Sequence, residues 1–336
     1  MSNEPRAEEA WEDPGSPRAE NQDRARRFGM DPGVRKVLLV CLAALVLHLL
    51  VLLLPRNMPE QELAIARAIP DSAKRVALLK PLKEHPKATG ADLREAAELL
   101  REGSPMDAYE LTKESERREP GSVETQLLMA RICHGQRMNR CEEEALRKAE
   151  EVAPGDGRSA LLRADFREAE GDLAGALKSV EEAYHKEPGR KGVGVRYARL
   201  LSAAHQGEAA LEVLRTQGVN LGKARLWLEE GLVRVDQGRL EEARQLFSRA
   251  VEADPKLVMG YYHLGVTAFR LGDIQGAEDA LRMADRLDMT DMKALSALCE
   301  IQRSTGRTDA VTATRMDLER RFPERLDAVR TACITR

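Results

Sequence analysis

Proline sets a ruler along this chain. Pro86, Pro120, Pro154 and Pro188 follow one another at intervals of 34 residues, and Pro255 and Pro323 continue the series after gaps of 67 and 68. Proline ends a helix because its ring clashes with the preceding turn and it has no N–H to donate. A period of this length fits one helical hairpin, which cannot bury its own apolar face, so the copies must stack. The phase marks seven units, 89–122, 123–156, 157–190, 191–223, 224–257, 258–291 and 292–325, with two prolines missing and one unit a residue short. The fold class that follows is all-α, an α-solenoid of about seven helix-turn-helix repeats.

Composition agrees. Aromatic residues make up only 4% of the chain, which favours Ala, Leu, Glu and Arg. These are strong helix formers, whereas sandwiches and barrels draw on aromatic and β-branched residues. Position 8 of every unit is small: Ala96, Ala130, Ala164, Ala198, Gly231, Gly265 and Cys299. Two helices that cross closely need such a position. Gly103, Gly171, Gly238, Gly272 and Gly306 fall where a first helix should stop, a place that suits the left-handed conformation of glycine. Asp172 and Asp273 follow as helix starts.

In unit 224–257 the key positions are Trp227, Gly231, Gly238, Ala243, Phe247, Ala250 and Pro255. Unit 258–291 gives Tyr261, Leu264, Gly265, Gly272, Ala277, Leu281 and Ala284, and unit 157–190 gives Ala164, Gly171, Ala176, Val180, Ala183 and Pro188. This pattern resembles the tetratricopeptide repeat (TPR). The resemblance implies a right-handed superhelix with a concave inner face that binds proteins or peptides and rarely catalyses. Some units depart from the pattern. Arg137 and Glu142 replace the glycine and alanine of unit 123–156, His205 and Gly194 mark unit 191–223, and Val311 and Leu318 stand where alanine is usual in unit 292–325. Residues 55–88 read as a linker or a degenerate helical pair, split by Pro70 with Asp71 as a helix start, and 326–336 as a C-terminal cap or frayed tail.

Ahead of the array, Val37–Leu54 holds 18 residues of which only His48 is polar. As a helix it would span about 27 Å, close to the hydrocarbon thickness of a bilayer. It reads as an uncleaved transmembrane signal anchor. Arg24, Arg26, Arg27, Arg35 and Lys36 crowd its N-terminal side, and only Arg56 and Arg67 follow closely on the other. That bias keeps the N-terminus cytoplasmic. The expectation is therefore a single-pass inner-membrane protein with its TPR array in the periplasm or outside the cell. Residues 1–36, rich in proline and mixed charge, read as a disordered cytoplasmic tail.

By the same resemblance, first-helix positions 2, 5, 9 and 12 line the groove. In the two best-formed units these are Arg225, Leu228, Leu232 and Val235, then Met259, Tyr262, Val266 and Phe269. Family members that clamp a C-terminal carboxylate carry Lys and Asn at such positions. Leu228, Leu232, Tyr262 and Val266 replace them here, so an apolar or amphipathic segment of a partner is the expected ligand. Elsewhere the inner positions carry mixed charge: Arg158, Asp165 and Glu168, then Arg196 and Arg199, then Lys293, Glu300 and Arg303.

No HExxH, GxSxG or Walker sequence occurs, and the six histidines are scattered, so no catalytic site, cofactor or metal is expected. A net charge of -3 argues against a nucleic-acid partner. Cys133 ends a first helix and Cys141 begins the second, a candidate disulfide with buried reduced cysteine as the alternative. Cys299 reads as core. The expected function is a membrane-anchored protein–protein interaction scaffold in bacterial envelope assembly or secretion, with homo-oligomerisation left open. The alternative is a catalytic or non-catalytic subunit of a cell-wall or cytochrome-maturation complex.

Overall fold

A computed structural model describes residues 58–334, apart from the side chains of 217–220. Seventeen α-helices and two short 3-10 segments occupy these residues, and no strand occurs among them. Helices α1 (Pro59–Ala68) and α2 (Ser72–Leu79) form a hairpin ahead of the first unit. Seven pairs follow: α3 (Gly90–Leu100) with α4 (Pro105–Arg118), α5 (Val123–Gly135) with α6 (Asn139–Val152), α7 (Arg158–Ala169) with α8 (Leu173–Lys186), and α9 (Val193–Ala203) with α10 (Gly207–Leu221). Then come α11 (Lys223–Asp236) with α12 (Leu240–Ala253), α13 (Val258–Arg270) with α14 (Ile274–Leu287), and α15 (Lys293–Ser304) with α16 (Thr308–Arg321), before a last helix, α17 (Leu326–Cys333). The all-α repeat architecture is borne out. Each helix packs on its partner and on the next unit, the quasi-one-dimensional stacking of a solenoid. First helices of consecutive units also approach one another, as α11 does α13 and α13 does α15. That puts the first helices on the inner side of the stack.

Packing explains the small residues. Ala96, Ala130, Ala164, Ala198 and Cys299 are buried at the crossings. A Cβ at Gly231 would lie 2.5 Å from the Phe247 ring, and one at Gly265 would lie 2.7 Å from Leu281. Only glycine lets these two rows of side chains seat without displacement.

The turns are more varied than glycine spacing alone implies. Gly171, Gly238, Gly272 and Gly306 take the left-handed conformation, with φ between 72° and 87°. Gly103 does not; it is small because a Cβ there would run into the Ser72 side chain of α2. Where glycine is absent, Arg137 (φ 55°) and His205 (φ 60°) adopt the left-handed conformation themselves. At one missing proline beat Gly222 turns the chain with φ 77°, and at the other stands exposed Met289. Asp172 and Asp273 cap α8 and α14, accepting hydrogen bonds from the Gly175 and Gly276 N–H groups at 2.9 Å each.

Residues 58–88 pack onto the array as a hairpin of helices. Leu63, Ala66, Leu79 and Leu82 share a core with Leu93, Ala96 and Leu100. Arg118 ties this segment down, donating to the carbonyls of Lys83 (2.7 Å), His85 (2.9 Å) and Ala88 (2.5 Å). At the other end α17 continues the ruler. Counting on from Pro323, Val329 and Cys333 fall at positions 4 and 8 of a further unit, and both are buried. Helix α17 thus stands where the first helix of a further unit would, packed on α15 and α16.

The expected single-pass membrane localisation is corrected. No helix among the described residues is long and apolar enough to cross a membrane. The longest, α10, has 15 residues and rises about 22 Å, short of the roughly 30 Å hydrocarbon core. The segment 37–54, on which the expectation rested, and the tail 1–36 lie outside the described residues.

Candidate functional site

The eight inner-face residues of α11 and α13 do not share one environment. Arg225 and Met259 are exposed, and Leu232, Val235, Tyr262, Val266 and Phe269 are half-buried. Leu228 is only 6% exposed and belongs to the core with Ala243, Phe247 and Ala250. The reason is geometric: α11 turns position 5 into its own second helix, so its Leu is covered from below. Leu232 and Val235 lean on that same core, and Tyr262 and Phe269 lean on the core of the next unit. What remains open is a band of partly covered apolar side chains running from α11 to α13. His263 supports it from behind, stacked on Phe247 at 5.6 Å and edge-on to Tyr262 at 5.1 Å. Burial pushes the His263 imidazole below its ordinary range, so it is neutral near pH 7.

Charged side chains on the neighbouring first helices engage each other across the repeats. Arg196 on α9 meets Asp165 at 2.6 Å and Glu168 at 2.9 Å, both on α7. Arg199 clasps Glu229 of α11, and Ser202 donates to Asp236 at 2.6 Å. Glu229 and Asp236 escape a reading limited to the four lining positions. A signal for Glu229 exists in the sequence: its charge is opposite to that of Arg199, which precedes it by 30 residues, a little less than one repeat.

A cleft of about 620 Å³ lies elsewhere, lined by Tyr109, Lys113, Glu116, Met129, Arg147 and Lys148. It is charged and open to solvent, and it brings together no chemistry of its own. Among the described residues no group of three or more His, Cys, Asp or Glu side chains could hold a metal ion. The four cysteines among the described residues are paired. Cys133 and Cys141 are bonded, with Cα atoms 5.8 Å apart, and Cys299 is bonded to Cys333, with Cα atoms 5.2 Å apart. Cys299 is therefore a linking residue as well as a core residue. Beside the first bridge, His134 stacks on Phe166 at 3.9 Å and its Nδ1 lies 3.0 Å from Glu142. Glu142, which replaces the usual alanine, thus has a partner within its own hairpin.

Two tetratricopeptide-repeat family models match, over residues 228–291 and 168–231. No curated protein matches the chain. Among solved structures, yeast Tom70 superposes with a TM-score of 0.54 at 14% identity, covering 83% of this chain and 64% of that one. PilW, described as a type IV pilus biogenesis factor, gives 0.49 at 15% identity, covering 62% of this chain and 97% of its own. A thermophilic TPR protein of Thermus thermophilus gives 0.44 at 22% identity, covering 53% and 100%. At 14% identity the likeness to Tom70 is one of fold alone.

Proposed function

The chain is a tetratricopeptide-repeat protein, and we propose that it acts as a non-catalytic scaffold holding an apolar or amphipathic segment of a partner protein. Repeats of this family mediate protein–protein interaction, and the observation that carries the finer reading is the band on α11 and α13. Leu232, Val235, Tyr262, Val266 and Phe269 are neither covered nor fully solvated. A helix or extended segment laid along the inner face would remove their remaining apolar surface from water, at roughly 25 cal/mol per Å².

Photocrosslinking from Leu232 and Tyr262 tests this reading. Both positions should capture the same partner, and Val266→Asp should abolish capture. If exposed second-helix positions such as Asp279 and Arg282 capture a partner while the two inner positions do not, the groove reading is wrong.

A further inference from the structure

Along the inner face, some charges are engaged between neighbouring first helices and others are not. Across α7, α9 and α11, Asp165 and Glu168 share Arg196, Arg199 holds Glu229, and Ser202 donates to Asp236 at the C-terminal end of α11. The apolar band lies on α11 and α13, and three arginines of α11, α13 and α15 stand at neighbouring register positions. Arg225, Arg270 and Arg303 occupy positions 2, 13 and 12 of successive first helices, on the same side as the lining positions. Among the described residues none of the three makes a side-chain hydrogen bond or ion pair, and the Arg303 Nε is buried without an acceptor. Helix α13, at the centre of the band, contains no Asp or Glu. On α15 one carboxylate, Glu300, is exposed on the inner face.

A ligand that covers this band also takes solvent from the three guanidiniums. Covering a cation without supplying an anion is costly, whereas a complementary carboxylate recovers the loss and rejects partners of the wrong charge. We propose that the segment bound here is acidic as well as amphipathic: apolar residues on one face, flanked by side-chain carboxylates that pair with Arg225, Arg270 and Arg303. The proposal rests on the groove reading above and adds the chemistry of the partner.

Fluorescence anisotropy with the full chain and three designed peptides tests it. The peptides share the same apolar positions and carry Glu, Gln or Lys at the flanking ones, with both ends blocked so that only side-chain charge is read. Affinity should fall in the order Glu, Gln, Lys, with about a ten-fold gap between Glu and Gln at low salt that narrows as salt screens it. The combined substitution Arg225→Gln, Arg270→Gln and Arg303→Gln should remove the gap between the Glu and Gln peptides; retained helical circular dichroism reports an intact fold. Equal affinities, or a preference for Lys, would overturn the acidic assignment and leave the groove standing. Absence of binding by all three, or binding unaffected by Val266→Asp, would overturn the groove reading as well.

Discussion

Arg199 clasps the carboxylate of Glu229 with two parallel hydrogen bonds, Nε to Oε2 at 2.8 Å and Nη2 to Oε1 at 2.6 Å. The carboxylate is buried, with 2% of its side chain exposed, while the arginine is 57% exposed. The pair crosses from one repeat to the next, so it couples their stabilities.

Removing one partner should hurt more than removing both. Arg199→Met leaves a buried carboxylate without its donor and should destabilise by about 1–3 kcal/mol. Arg199→Met combined with Glu229→Gln should recover most of that loss, because the residual cost lies in the unpaired charge. Urea denaturation of the two variants measures the difference. Equal destabilisation by the single and double variants would show that the pair is not coupled.

Two turns carry side chains in a conformation that favours glycine. A non-glycine residue in the left-handed region costs about 1–2 kcal/mol. Arg137→Gly and His205→Gly should each raise the urea midpoint, while Gly171→Ala, at φ 78°, should lower it. A fall in the midpoint for both glycine variants would mean that the two side chains stabilise their turns more than the backbone strains them.

Acid should loosen the N-terminal hairpin. Hydrogen bonds from Arg117 and Arg118 hold the Glu114 carboxyl at about 2, below its ordinary 4.5. A carboxyl lowered on folding stabilises the fold above its unfolded value, and that contribution fades as pH falls from about 4.5 towards 2. Arg118, which Glu114 orients, also binds the carbonyls of Lys83, His85 and Ala88. Amide exchange in α1 and α2 should therefore speed up across that window, and Glu114→Gln should show the faster exchange already at neutral pH. Identical pH profiles for the two proteins would remove Glu114 from the account.

The two bridges should differ in what they hold. Cys299–Cys333 closes 34 residues and, on chain-entropy grounds, contributes about 3–4 kcal/mol, against about 2.5 for the eight-residue span of Cys133–Cys141. Helix α17 has eight residues and is too short to persist alone. Cys333→Ser should free α17 to exchange without unfolding the earlier units, whereas Cys141→Ser should loosen the α5–α6 hairpin around Arg137. Mass-resolved hydrogen exchange distinguishes the two regions.

Most of the repeat frame is legible in the residues. Pro120, Pro154, Pro188 and Pro255 mark the ends of second helices, and Ala164, Ala198 and Gly231 mark crossings where a side chain would collide. These are local requirements, each met by one residue type at one spacing. The inner face was less legible: Leu228 shares the lining register with Leu232, yet one is buried and the other half-open. Periodicity gives a side chain's direction around its own helix. It does not give the depth to which the adjoining helices cover it.

The sequence by itself determined that the chain is helical, that it repeats, and where each hairpin turns, because proline, glycine and alanine act through sterics within a single unit. Only the tertiary structure decided that Glu229 answers Arg199, that Cys333 reaches Cys299, and which apolar residues of α11 and α13 remain for a partner. Those outcomes depend on how closely one hairpin approaches the next, a distance that the summed packing of whole helices sets.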